Sequence, residues 1–76
     1  MNKELSSDSL KYIISRVIEN ANDAAKENKE HKGSEFYEGK TLAYYEVLDT
    51  IKNELEAHSQ DLKEFGLDIN LEKEYL

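Results

Sequence analysis

Glu54 and His58 are the two residues of this chain whose types and spacing come closest to a metal site. Four residues apart on a helix, their side chains would meet on one side. Bundles that hold two metal ions with bridging carboxylates use Glu-x-x-His together with further inward glutamates, whereas Glu19, Asp23 and Glu27 fall outside the apolar side of their own helical pattern. One carboxylate and one imidazole are too few for a closed site, so we predict no metal and keep the pair as weak candidates.

The remaining residues offer no spacing that is typical of catalysis. The 76-residue chain has no cysteine, which excludes a thiol nucleophile, a disulfide and a cysteine-bound zinc ion. Hydrolysis or group transfer needs a nucleophile with a positioned base, and most of the serines occupy positions typical of helix caps or exposed polar residues. The three glycines are too scattered to cradle a phosphate. We therefore predict that the protein is not an enzyme and binds no cofactor.

The charge of the chain is unevenly placed. Residues 1–33 hold six basic and six acidic side chains, whereas residues 34–76 hold four and eleven, so the second half carries the whole formal charge of −7. We expect no nucleic acid and no anionic membrane surface as partners, because both require clustered Lys and Arg. A basic protein is the partner that such a surface fits.

The hydrophobic runs are only a few residues long, too short to span a membrane. The segment from Met1 to Ser9 lacks the basic and hydrophobic regions of a signal peptide. Together with the absence of cysteine, these features favour a reducing cytoplasm.

Hydrophobic residues of the first half recur at helical spacing, within an arc of about 140°. Ser6 suits the N-cap of this helix, and Gly33 can adopt the left-handed conformation that ends one. We predict a helix over residues 7–31. Its apolar stripe comprises Leu10, Ile13, Ile14, Val17, Ile18, Ala21, Ala24 and Ala25.

A second stripe of the same width follows Ser34, which again suits an N-cap, and it is centred on Ile51. We predict a helix over residues 35–57. It either continues to Phe65 or breaks near His58, where Ser59 could cap a short third helix. The second stripe comprises Phe36, Ala43, Tyr44, Val47, Leu48, Ile51, Leu55 and Leu62.

The connection at Lys32 and Gly33 is so short that the second helix must return antiparallel against the first. Residues 66–76 alternate between apolar and polar side chains and then offer Asn70 as a cap, a pattern typical of a short extended piece with one last helical turn. The sequence thus predicts a single all-α domain over residues 1–76. Its architecture is an antiparallel helical hairpin with a short C-terminal helical or extended segment.

The two stripes are wider than a lone hairpin can bury, because each helix shields only one side of its neighbour. We predict that two hairpins form a homodimer, a four-helix bundle. The alternative is that residues 62–76 cover the stripes within one chain, so the C-terminal segment packs either in cis or in trans. The predicted core and dimer interface comprises Leu10, Ile14, Val17, Ile18, Tyr44, Val47, Ile51 and Leu55.

Leu42 and Tyr45 lie off the apolar stripes, beside Glu46 and Asp49. Residues three apart on a helix are neighbours, and tyrosine is favoured at protein interfaces. We predict that these four residues form a partner surface, unless they complete the dimer interface instead.

The stretch from Gly39 to Leu48 resembles a segment of small uncharacterised all-helical proteins of Gram-positive bacteria. The shared pattern is Gly-x-x-x-Ala-Tyr-Tyr-Glu-x-Leu, followed here by the residues from Ile51 to Leu55. In those proteins the segment opens the long second helix of a hairpin. The resemblance implies a helical fold and a bacterial cytoplasm, and it brings no activity, cofactor or functional residue.

Charge and architecture together favour a protein–protein interaction module. By analogy with small acidic proteins that neutralise basic targets, we expect an inhibitor, an antitoxin-like protein or an immunity-like protein. The alternative is a purely structural or regulatory homodimer with no basic partner. A third hypothesis is a metal-binding helical bundle that uses Glu54 and His58.

Overall fold

A computed structural model describes residues 6–76, and the part of the predicted domain before Ser6 lies outside the described residues. Every regular element in the described part is helical. Two long helices, α1 (Ser7–Glu30) and α2 (Glu35–Ala57), are followed by a 3-10 helix (Leu62–Phe65) and a short helix α3 (Leu71–Tyr75). The prediction of an all-α fold built on two long, mutually packed helices is confirmed.

The long helices begin at the two predicted caps. The hydroxyl oxygens of Ser6 and Ser34 accept the backbone N–H three residues further on, at 3.0 and 3.5 Å. These bonds satisfy N–H groups that have no partner within the helix. Between the helices Gly33 has a φ of +86°, which glycine adopts without a steric penalty. The chain therefore reverses within a few residues, and α2 packs antiparallel to α1.

The second helix ends at Ala57 and does not continue to residue 65. Beyond it Ser59 has a φ of +57°, and the N–H of Gln60 reaches back to the carbonyl of Leu55 at 2.8 Å. This is the hydrogen bond that closes a helix whose next residue is left-handed. Ser59 thus ends α2 and caps nothing, which corrects the alternative in which it begins a helix. Asp61 caps the 3-10 helix instead, accepting the N–H of Lys63 at 3.1 Å.

Close packing near the turn fixes the register of the hairpin. Ala21 and Ala24 are completely buried, and small side chains let two helices approach each other. Thr41 is buried opposite them, and its hydroxyl lies 3.1 Å from the carbonyl oxygen of Ala24 and 2.9 Å from that of Tyr37. A buried hydroxyl needs such a partner, so a threonine can occupy this position in the core.

Residues 61–76, which we call the tail, fold back over one side of the hairpin. Its large apolar side chains enter a core with Ile14, Leu48 and Leu55 of the long helices. The tail therefore packs in cis. Of the apolar residues in its alternating pattern, Leu67 and Leu71 are buried. The buried side chains that the tail contributes are Phe65, Leu67, Leu71 and Tyr75.

Polar contacts hold the tail to both long helices. The Tyr75 hydroxyl donates to Oδ1 of Asn22 on α1 at 2.6 Å, and Nζ of Lys52 on α2 donates to the carbonyl oxygen of Ile69 at 2.9 Å. On α1 the ammonium group of Lys11 lies 5.9 Å from the centre of the Phe65 ring. These contacts place the tail on one flank of the hairpin.

The tail also changes which side of α2 is buried. Leu48 is completely buried, whereas Ile51, the predicted centre of the stripe, is only half-buried. Since residues three apart on a helix differ by about 60° in direction, the buried side is turned toward the tail by roughly that angle. Phe36 and Val47, on the far edge of the stripe, remain exposed as a result.

Candidate functional site

The flank of the hairpin opposite the tail keeps an uncovered apolar surface. Leu10 and Ile13 of α1 are 37% and 45% exposed, and Val47 of α2 is 47% exposed. Val17 and Ile51 lie between them and are half-buried. We call this surface, made of these five residues, the open face. Contiguous apolar surface of this kind is typical of an interaction site.

A groove of about 580 Å³ lies at the end of the open face where the two long helices have their free ends. Its base is apolar, and its rim is polar. The rim includes Glu54 and His58, together with Ser6 and Thr50. A concave apolar site with a few polar groups at its edge has the general form of a binding pocket. The apolar lining residues are Leu10, Ile14, Ile51, Leu55 and Phe65.

At the opposite end of the hairpin, next to the turn, the ring of Phe36 is 68% exposed. It meets the ring of Tyr37 edge to face, with centroids 5.1 Å apart, and the imidazole of His31 stacks on the same Tyr37 ring at a centroid distance of 4.5 Å. The helical pattern predicts Phe36 in the buried stripe, and this prediction is wrong because the buried side of α2 is turned toward the tail. The local pattern alone does not contain that information.

The eight residues of the predicted core and interface divide between three environments. Ile14 and Leu55 are buried inside the chain, whereas Leu10 and Val47 belong to the open face. Ile18 lies on the tail side, beside Gly66. The structure therefore brings half of the predicted interface, four of the eight residues, to the open face. The half-buried members are Val17, Ile18, Tyr44 and Ile51.

The four residues of the predicted partner surface lie on the side of α2 that faces away from α1. Leu42 is 46% exposed there, and Glu46 is exposed beside it. Asp49 is half-buried and accepts a 3.4 Å hydrogen bond from the side-chain amide of Asn53. Tyr45 is half-buried against the core, and its hydroxyl donates to Oε1 of Glu72 in the tail at 3.1 Å.

Further carboxylates extend this surface along the whole of α2, and we call it the acidic face. Helical periodicity already places them opposite the apolar stripe. The ion pairs found in the described part of the chain include none of them. The acidic face comprises Glu35, Glu38, Leu42, Tyr45, Glu46, Asp49 and Glu56, with Glu72 of the tail at its edge.

Three groups near these surfaces have pKa values raised by their surroundings. The hydrogen bond to Glu72, with some desolvation, raises the pKa of Tyr45 above its ordinary 10.0. Desolvation raises the pKa of Tyr75 above the same value. The hydrogen bond from Lys40 to Glu27, 3.1 Å long, raises the pKa of Lys40 above 10.5. In all three cases folding favours the protonated form.

These three shifts predict a loss of stability in alkali. A pKa that folding raises contributes stability that is complete below the unfolded value and disappears as the pH rises through the folded one. We therefore expect the urea midpoint of unfolding to fall once the pH exceeds 10.0 to 10.5. Tyr45→Phe should reduce that fall, whereas Tyr12→Phe, at an exposed position on α1, should leave it unchanged. An identical alkaline profile for Tyr45→Phe and the parent protein would contradict this.

The candidate metal pair lies at the end of α2, on the rim of the groove. Nε2 of His58 and Oε2 of Glu54 are 3.9 Å apart, and both side chains are largely exposed. Together they supply two donor groups, whereas zinc sites use three or four protein ligands. No group of three or more His, Cys, Asp or Glu side chains that could hold a metal ion occurs within residues 6–76.

Several serine hydroxyls are engaged in local backbone structure. Ser6 and Ser34 cap the long helices, and the Ser15 hydroxyl donates to the carbonyl oxygen of Tyr12 at 2.6 Å. These serines stabilise helical turns, the use that their positions in the sequence predict.

Comparison with known proteins finds no matching family model, no matching curated protein and no matching solved structure. The resemblance to small helical proteins of Gram-positive bacteria therefore stays a prediction. Neither long helix of the described chain is apolar enough over a sufficient length to cross a bilayer.

Proposed function

We propose that this protein is a small, non-enzymatic interaction module that binds a basic protein, as an inhibitor, an antitoxin-like protein or an immunity-like protein does. The observation that carries the proposal is the acidic face, where exposed carboxylates without ion pairs surround the exposed side chain of Leu42.

Electrostatics explains why such a face suits a basic partner. Unpaired carboxylates along one helix repel each other, and Lys or Arg side chains from a partner relieve that repulsion. A field of one sign also steers an oppositely charged protein and speeds association. Charge alone gives little affinity, so an apolar anchor is needed, and Leu42 supplies one at the centre of the face.

The open face favours a second candidate function, a structural or regulatory homodimer without a basic partner. Its exposed Leu10, Ile13 and Val47 lie away from the acidic face, so self-association leaves the acidic face free. Dimerisation itself is therefore compatible with binding of a basic partner, and only that binding depends on the carboxylates of α2.

Charge reversal on the acidic face tests the proposed function. The probe is a helical peptide of alternating lysine and leucine blocks, titrated at low salt. We expect the double variant Glu46→Lys, Asp49→Lys to bind it at least about tenfold more weakly than the parent protein, because it loses two attractive charges and gains two repulsive ones. Leu42→Ser should weaken binding while leaving its salt dependence unchanged.

A matched control distinguishes the effect of the acidic face on binding from the effect of the net charge. Asp23→Lys, Glu30→Lys changes the net charge by the same amount at exposed positions of α1. Binding should remain close to that of the parent protein. If both double variants lose affinity equally, the peptide responds to overall charge alone, and the homodimer without a basic partner becomes the better description.

A further inference from the structure

The occupant of the open face can be identified from charge. Ionisable groups at its border occur in pairs of opposite sign: Lys40 with Glu27 at 3.1 Å, and His58 with Glu54 at 3.9 Å when the imidazole is protonated. When His58 is neutral, as in the net charge of −7, Glu54 is the one unpaired carboxylate among these four groups, against six carboxylates on the acidic face, so a basic partner is attracted less strongly here. Two copies of the chain, each with a net charge of −7, repel each other least through this face. The charge pattern therefore selects a second copy of this chain.

The two ends of the open face have complementary shapes. The groove lies at the free end of the hairpin and the protruding ring of Phe36 lies at the turn. Phe36 and Glu54, a rim residue of the groove, are eighteen residues apart on α2, which is five whole helical turns. They therefore lie on one line along the helix, separated by about 27 Å.

We propose that two copies pair antiparallel through their open faces, so that Phe36 of each copy inserts into the groove of the other. A twofold axis halfway between Phe36 and the groove crosses α2 at the level of Ala43 and Val47. The small side chain of Ala43 allows the two α2 helices to approach each other there. Because of the twofold symmetry, both Phe36 rings enter a groove in the same contact, and the two hairpins form a four-helix bundle. This inference rests on the homodimer described above and is independent of the basic partner.

The absence of cysteine makes the pairing directly testable by disulfide formation. In the double variant Phe36→Cys, Glu54→Cys the two positions are about 27 Å apart within one chain, too far for an internal disulfide. In the proposed dimer, position 36 of one copy lies next to position 54 of the other. Because Phe36→Cys also removes the inserted ring, oxidation is carried out at a protein concentration about a hundredfold above the dissociation constant of the parent dimer. We expect this variant to form a covalent dimer there, with two disulfides and no free thiol.

The matched control moves one thiol off the open face. In Phe36→Cys, Glu56→Cys the second position lies on the acidic face, and covalent dimers should be at least about tenfold fewer. Equal cross-linking in the two double variants, or none in the first, would overturn the proposed arrangement.

Sedimentation equilibrium provides the second measurement, without new thiols. The parent protein should have twice the chain mass at micromolar concentration, and Phe36→Ala should raise the dissociation constant at least about tenfold. Tyr12→Ala, which truncates another exposed aromatic ring on the outer side of α1, should leave the mass unchanged. A parent protein that is monomeric, or a Phe36→Ala variant that dimerises as tightly as the parent, contradicts the proposal.

The outcomes also separate this inference from the proposed function. Phe36→Ala should still bind the lysine–leucine peptide, because its acidic face is intact. Conversely, Glu46→Lys, Asp49→Lys should keep the dimer mass while it loses the peptide. Failure of the peptide titration with normal cross-linking therefore removes the basic partner alone, and failure of cross-linking with normal peptide binding removes the pairing alone.

Discussion

Leu48→Asp is expected to abolish the fold. Leu48 is completely buried between the long helices and the tail, and an aspartate there would place an unpaired charge in the core. The penalty is several kcal/mol, comparable with the whole stability of a chain of this size. Far-ultraviolet circular dichroism should show loss of helix at neutral pH, and acidification toward the pKa of the carboxyl should partly restore it.

Val47→Asp is the matched control for that variant. It makes the same exchange for aspartate one residue earlier, at a side chain that is 47% exposed on the open face. We expect the helix content to be retained, because the carboxylate lies in water in the single chain, although it would oppose the proposed pairing at this level of α2. If Val47→Asp unfolded the chain and Leu48→Asp did not, the orientation of α2 about its axis described here would be wrong by about 100°.

The second large change, a loss in the free energy of unfolding, is expected at Leu67, a tail residue that is completely buried against the hairpin. Leu67→Ala removes most of a buried side chain and leaves a cavity, which typically lowers the free energy of unfolding by about 2–5 kcal/mol. Urea denaturation followed by circular dichroism measures the loss. Because the tail packs within its own chain, the loss should be the same across a range of protein concentrations.

Leu76→Ala provides the comparison at the exposed end of the tail. Truncating that side chain should change the free energy of unfolding by less than about 0.5 kcal/mol. Equal effects of Leu67→Ala and Leu76→Ala, or an effect of Leu67→Ala that vanishes on dilution, would show that the tail does not pack in cis as described.

Local chemistry made the elements of this fold predictable. Ser6 and Ser34 each accept a backbone N–H at the start of a helix, and Gly33 has the positive φ that its position suggested. Such signals act over three or four residues, so they can be recognised without the tertiary structure. The end of α2 was harder to place, because Ser59 adopts a left-handed conformation that non-glycine residues seldom take.

The buried faces were less predictable, because they depend on contacts between distant parts of the chain. Tyr75 bonds to Asn22 across 53 positions, and no local pattern contains that information. The tail turned the buried side of α2 from Ile51 toward Leu48 and left Phe36 exposed. Thr41 was missed for a different reason: its polarity suggested the surface, whereas its hydroxyl is satisfied by backbone carbonyl oxygens in the core.

The one-sided position of the tail also limits how many molecules can assemble. A hairpin with two bare flanks could add copies on both sides and grow into a filament, as surfaces that do not close on themselves tend to do. Here Phe65, Leu67 and Leu71 occupy one flank from within the chain, and the proposed twofold contact would cover the other. In that arrangement assembly would stop at two copies, with both acidic faces turned toward solvent.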